Sequence, residues 1–174
     1  MPKINDAIGV LGGSFDPPHA GHLKISKIIL KKLNLKKIYW IVTKKNPFKK
    51  KPLFSLNQRM KKCLDITKRN KKIYVKYLDN KIKSSRAIKI VRYFKRKNKN
   101  NKIYLIIGSD NLINFHKWHQ WQKISQKCYI VVFDRHGYKK KSLNSTTFKR
   151  LTKKNLEFIK FNKVNISSSQ LRKI

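Results

Sequence analysis

Five short apolar runs, at residues 7–11, 38–43, 73–78, 103–107 and 129–133, recur along the chain with stretches of helical periodicity between them. A run of this length that is apolar nearly throughout has no polar face to offer water, so it fits a parallel sheet covered on both sides. The stretches 21–33, 56–69 and 84–97, and a broken pair over 111–125, supply the covering helices. Strands alternating with helices imply right-handed crossovers within one open sheet. Ser55-Leu56-Asn57-Gln58 has the pattern of a capping box, and Ser167-Ser168-Ser169-Gln170 repeats its spacing, so a short helix is expected near the end of the sequence. The charge-rich stretches 44–51 and 95–102 read as solvated loops, and the polar segment 144–154 leaves loop and helix both open. The expectation is an α/β fold, a Rossmann-like open parallel sheet of about five strands flanked by helices, forming one domain over residues 1–174.

With 174 residues, 40% of them hydrophobic, the chain can bury a substantial core. It contains no apolar run of about 18 residues, and Met1-Pro2-Lys3-Ile4-Asn5-Asp6 lacks the apolar stretch of a secretory signal, so a cytoplasmic protein without a membrane span is expected. Cys63 and Cys128 lie far apart in segments that read as helix and strand interior, and are expected as buried reduced thiols. Lys and Arg number 45 against 7 Asp and Glu, a formal charge of +38 that would ordinarily point to nucleic acid. The lysines are spread over the whole chain among many Asn, Ile, Phe and Tyr, as codons poor in G and C produce. No specific nucleic-acid partner is therefore expected, although steering of anionic substrates and a basic nucleic-acid-binding module remain as functional readings of the charge.

The first apolar run leads directly into Gly12-Gly13-Ser14-Phe15-Asp16-Pro17-Pro18-His19-Ala20-Gly21-His22. A strand that ends in glycines, turns and enters a helix presents bare backbone N–H groups and a helix N-terminus, which together attract phosphate. His19 and His22 can donate to phosphate oxygens there, or can serve only to cap the helix and pack the turn. The glycine order is neither the dinucleotide fingerprint nor a P-loop. In open α/β sheets ligands bind at the carboxyl ends of the strands. Ser14 and the histidines follow the first run, Asn46-Pro47 the second, Gly108-Ser109-Asp110 the fourth and Arg135 the fifth, so all are expected on one rim.

Together with Asn111, Trp118 and the terminal Ile166-Ser167-Ser168-Ser169-Gln170-Leu171-Arg172, these residues resemble the nucleotidyltransferase superfamily with the H-x-G-H signature, and within it the bacterial nicotinate-nucleotide adenylyltransferases. The resemblance runs in order along nearly the whole chain. It implies transfer of AMP from ATP, with Mg²⁺, to nicotinate mononucleotide. Nicotinamide mononucleotide and phosphopantetheine are the alternative acceptors within the superfamily. Phosphopantetheine enzymes usually carry Thr where this chain has His19 and lack the block from Asp110 to Trp118 in this form.

On this resemblance His19 and His22 are the catalytic pair. Gly13, Ser14, Phe15, His19, His22, Gly108, Asp110, Arg135, Ser167, Ser168, Ser169 and Arg172 are expected to bind ATP, and Asn46, Lys49, Ser84, Ser85 and Trp118 the acceptor. For three of these a plainer role stays open: Asp110 as a helix N-cap, Lys49 as a solvated loop charge, Trp118 as a core aromatic. The family's Thr-rich segment before the third helix is represented here by Ser84-Ser85-Arg86-Ala87, where Ala87 replaces an expected hydroxyl.

Overall fold

The computed structural model describes residues 6–151 and 153–161. Six parallel strands stand in the order β3-β2-β1-β4-β5-β6: β1 Ile8–Gly13, β2 Lys37–Val42, β3 Ile73–Lys76, β4 Ile103–Gly108, β5 Tyr129–Phe133 and β6 Leu156–Ile159. The helices are α1 Ala20–Lys32, α2 Leu56–Thr67, α3 Asp79–Ile82, α4 Ala87–Lys97, α5 Ser109–Asn114, α6 Trp121–Lys127, α7 Lys139–Leu143 and α8 Thr146–Arg150. None is long and apolar enough to cross a membrane.

Side-chain alternation along the central strands builds two cores. Ile8 and Val10 of β1, Ile103, Leu105 and Ile107 of β4, and Ile130 and Val132 of β5 face one side, where α4, α5 and α6 contribute Ile88, Val91, Phe94, Leu112 and Ile124. Leu11, Trp40, Val42, Ile106 and Val131 face the other, against Ile25 and Ile29 of α1 and Cys63 of α2. Burial on both faces is what the continuous apolar runs require. Both cysteines are free and buried, and burial pushes each thiol up to about 12, so they serve as packing groups. Part of the excess positive charge is held over aromatic faces: Lys37 and Lys76 each place their ammonium 5.4 Å from the Tyr39 ring centre.

The expected five strands are all present, and the sheet has a sixth. Leu156-Glu157-Phe158-Ile159 is a half-buried edge strand carrying a charge, so it lacked the apolar run that marks the others. The helix expected over 84–97 is α4, which starts at Ala87, and its last turn takes up the beginning of the stretch expected as a loop from residue 95. The polar segment at 144–154 holds α8, capped by the Ser145 hydroxyl accepting from Phe148 N–H. The serine-rich segment at 167–169 and Arg172 lie outside the described residues.

Gly9 shows how tightly β1 is enclosed. A Cβ there would lie 2.8 Å from Ile38 Cγ1 and 3.0 Å from both Ile106 Cδ1 and Leu35 Cδ1. Gly9→Ala is expected to destabilise the protein by roughly 1–3 kcal/mol through overpacking, read from the midpoint of a urea melt.

Candidate active site

The strand order reverses direction between β1 and β4: β2 and β3 extend to one side of this pair, β5 and β6 to the other. Pairing of β1 with β4 runs from Ile8↔Ile103 to Leu11↔Ile106. β1 continues beside β2 as far as Gly13↔Val42. A crevice therefore opens at the carboxyl edge between Gly12-Gly13 and the end of β4, the position where parallel sheets receive ligands. Gly12 is exposed although it lies on a central strand, and a Cβ there would meet nothing within 4 Å.

One wall of the crevice is the start of α1. His19 is its N-cap, and its Nδ1 accepts the Gly21 N–H at 3.1 Å. His22 closes the reciprocal half of the box, with its Nδ1 accepting the His19 N–H at 3.2 Å. Imidazole rarely does the work of Ser and Gln in such a box. Its use has a chemical consequence. A neutral ring that accepts at Nδ1 carries its proton at Nε2, so both rings are fixed as Nε2–H donors.

The surroundings hold them neutral. Burial, assisted by the Arg135 guanidinium, pushes His19 down to about 4. Burial also drives His22 well below the ordinary 6.5, helped by the mutual repulsion that protonating both His22 and His19 would create and by the Arg135 and Lys49 cations. The rings lie 3.9 Å apart between centres. Phe15 supports His22 at 5.0 Å and stacks in turn on fully buried Trp40, also at 5.0 Å. Trp40 Nε1–H donates to Ser26 Oγ, which donates to the His22 carbonyl. Phe15 reaches this place through a left-handed backbone, φ 48°.

The opposite wall comes from β4 and β5. Asp110 Oδ2 pairs with Arg135 Nη1 at 2.7 Å, and the Arg135 N–H donates to Ser109 Oγ at 2.8 Å. Asp110 lies in the first turn of α5, while Gly108 is the N-cap, so the plainer reading of Asp110 as a cap is not what the fold uses. Its Oδ1 is buried and has no hydrogen-bond partner among the described residues. Gly108 is needed for close approach: a Cβ would collide with that carboxylate oxygen and lie 3.0 Å from Arg135 Cδ.

The acceptor-side residues are more dispersed. Asn46 Oδ1 accepts the Phe48 N–H, and the Lys49 N–H donates to the Asn46 carbonyl, so these residues form a turn after β2. Lys49 is exposed on this loop, and its charge is near enough to help depress the basicity of His22. Ser84 and Ser85 are half-buried in the turn before α4, where Ser84 Oγ accepts the Arg86 N–H. Trp118 is half-buried and packs on Phe115 at 5.0 Å, so the core contact is present and part of the indole stays open.

Asp16, whose plain sequence reading is to stiffen the turn, does so from beneath, and sequence reasoning missed the arginine that completes this brace. Asp16 is buried, and its two oxygens accept the N–H groups of Leu53 and Phe54 at 2.7 and 2.9 Å. Arg59, 1% exposed, donates to the carbonyls of Ser14, Thr43, Lys44 and Phe54. In a chain so rich in cations, nothing in the residue pattern separates this arginine from surface ones.

The family model described as cytidylyltransferase-like matches residues 10–174. A protein of Pelagibacter ubique named probable nicotinate-nucleotide adenylyltransferase is 52% identical over 167 residues, covering 96% of this chain and 92% of that protein. The chain belongs to the cytidylyltransferase-like family, with the nicotinate-nucleotide adenylyltransferases. Another member of that name, from Agrobacterium fabrum, is 36% identical over 140 residues, 80% of this chain and 74% of the relative. The fold also matches the solved structure of Plasmodium falciparum nicotinic acid mononucleotide adenylyltransferase complexed with NaAD. That match has a TM-score of 0.78 at 20% identity and covers 97% of this chain and 83% of the other.

The histidine environment fixes a pH response for this family member. A histidine kept neutral in the fold binds fewer protons than the unfolded chain between its folded value and 6.5. Stability is therefore fully present above about 6.5 and declines as the pH falls toward about 4. Urea melts across that range are expected to show the decline, and His19→Ser is expected to flatten it.

Proposed function

We propose that the chain transfers the adenylyl group of MgATP to nicotinate mononucleotide, giving the deamido form of NAD and pyrophosphate. The observation that carries this reading is the reciprocal histidine cap at the topological switch point, which holds two neutral Nε2–H donors at the edge of an open crevice. The acceptor is the one in the names of the Pelagibacter ubique and Agrobacterium fabrum relatives, and it agrees with the sequence motifs.

In the proposed reaction an oxygen of the acceptor's phosphate attacks the α-phosphorus of ATP in line. A new P–O bond forms as the bond from the α-phosphorus to the bridging oxygen of pyrophosphate breaks. Attacking and leaving groups are both phosphates of low basicity, so a general base would gain little, and positioning and charge stabilisation carry the rate. His19 and His22 donate from Nε2 to the α-phosphate oxygens, where charge accumulates. Neutral donors have no proton to gain or lose in the step, and both rings are already held in place by the cap. Gly13, Ser14 and Phe15 form the floor beneath the phosphates, and Asp110 accepts from the ribose hydroxyls. Arg135 compensates the charge of Asp110 and faces the histidines. Ser167, Ser168, Ser169 and Arg172 are assigned to the β- and γ-phosphates from the sequence motif alone.

On the acceptor side Lys49 offers a cation to the mononucleotide phosphate, and Asn46 shapes the turn that carries it. Ser84 and Ser85 precede the first amides of α4, where a nicotinate carboxylate is favoured by the helix dipole. Trp118 offers its open indole face to the pyridine ring. Among the described residues no three His, Cys, Asp or Glu side chains converge as a metal site, and Mg²⁺ is assigned to the triphosphate, whose charge it neutralises. One nucleotidyltransferase domain over residues 1–174, working in the cytoplasm, completes the proposal.

The capping box of α2, in which Ser55 and Gln58 exchange the same two bonds, suggests the decisive variant. His19→Ser combined with His22→Gln places that box on α1. The double variant is expected to melt close to wild type while turnover falls at least about 10²–10³-fold, the usual cost of losing a preorganised donor. Wild-type turnover in the folded double variant would reject the mechanism. The acceptor is tested by pyrophosphate release from MgATP with nicotinate mononucleotide, nicotinamide mononucleotide or phosphopantetheine. Release with the first is expected, and release with phosphopantetheine alone would reject the assignment. Trp118→Ala is expected to raise the acceptor KM with little change in the KM for ATP.

A further inference from the structure

The bonds of Arg59 join the two halves of the site. Between β1 and β2 the backbone ladder reaches its last rung where the Thr43 N–H donates to the Gly13 carbonyl at 2.9 Å. Beyond that rung the chains diverge, one into the Ser14-Phe15 turn under the phosphates and the other into the segment carrying Asn46 and Lys49. The Arg59 guanidinium sits in this fork. Its Nη1 donates to Ser14 O at 2.6 Å and to Thr43 O at 2.8 Å, and Nη2 reaches Lys44 O at 3.4 Å. Nε donates to Phe54 O at 3.1 Å, so one planar group holds carbonyls from the turn, the end of β2 and the entry to α2. The Lys44 N–H then donates to Asp79 Oδ2 at 2.8 Å, which carries the chain of bonds to the start of α3.

We infer that Arg59 is a positioning residue that sets the separation between the ATP-side turn and the acceptor-side loop, and so the alignment of the attack. The inference rests on the adenylyl-transfer reading. Arginine suits the place because its rigid fork spreads donors over several acceptors in one plane, which the single ammonium of lysine cannot do. The carbonyls it serves are at the base of the site, where water cannot replace every lost donor.

The experiment compares wild type with Arg59→Lys and Asp79→Ala. Their folded fraction is measured by circular dichroism, and the affinities of a non-hydrolysable ATP analogue and of nicotinate mononucleotide alone are measured for each. Wild-type kinetics are taken with whichever acceptor supports pyrophosphate release. A change of acceptor would thus overturn the proposed function and leave the geometry of Arg59 still on trial. For folded Arg59→Lys, kcat is expected to fall roughly 100-fold, the scale of an ångström's misplacement, with each substrate's own affinity changing far less. Asp79→Ala, at the outer end of the same chain of bonds, is expected to lower kcat in the same sense but less. Activity that simply follows the folded fraction, or wild-type kcat in folded Arg59→Lys, would overturn the role. If Arg59→Lys does not fold, wild-type kcat and KM in Asp79→Ala would overturn it, and a lowered kcat at unchanged substrate affinity would support it.

Discussion

Everything at this site depends on two hydrogen bonds at the first turn of α1, each from a backbone amide to an imidazole Nδ1. A helix start leaves amides without intrahelical partners, and most proteins satisfy them with hydroxyl or carboxamide side chains. Satisfying them with imidazole serves the helix and, in the same act, fixes the tautomer of both rings. The structural and chemical readings of His19 and His22 are therefore one arrangement seen from two sides of the ring. The helix takes Nδ1, which leaves Nε2–H as the donor of each ring.

The rest of the fold explains why these donors can be relied on. Burial and the neighbouring cations Arg135 and Lys49 keep the rings from taking up a second proton. The stack of His22, Phe15 and Trp40 holds the turn against the core, and the Trp40 indole is tied back through Ser26 to α1 itself. Asp16 and Arg59 secure the same turn from below. Cations beside a histidine pair would be a liability if the histidines had to be charged. Here they both hold the rings neutral and present an electropositive mouth to anionic substrates.

Much of this was legible in the amino-acid order. Four of the five apolar runs stood out because strands in the interior of a covered sheet carry few polar residues, the run at the edge strand β3 stood out by its apolar content despite exposed Lys76, and Gly12 to His22 stood out because glycines and paired histidines after a strand have few structural uses. β6 was not legible, since an edge strand need bury only part of itself and Glu157 breaks the run. Arg59 was invisible for a different reason. One buried arginine among 45 lysines and arginines has no distinguishing neighbour in sequence, and its partners are backbone carbonyls, which leave no trace in residue type. The cap itself was half legible: the spacing of His19 and His22 fits a capping box, but which ring nitrogen faces the helix is a matter of geometry.

The most direct measurement is of the protons on the two imidazoles. Protein labelled with nitrogen-15 at histidine, examined by NMR near neutral pH, is predicted to show His19 and His22 as neutral rings with the proton on Nε2 and a bare Nδ1, with that form persisting as the pH is lowered well below 6.5. A proton on Nδ1 of either ring, or an imidazolium at neutral pH, would contradict the account.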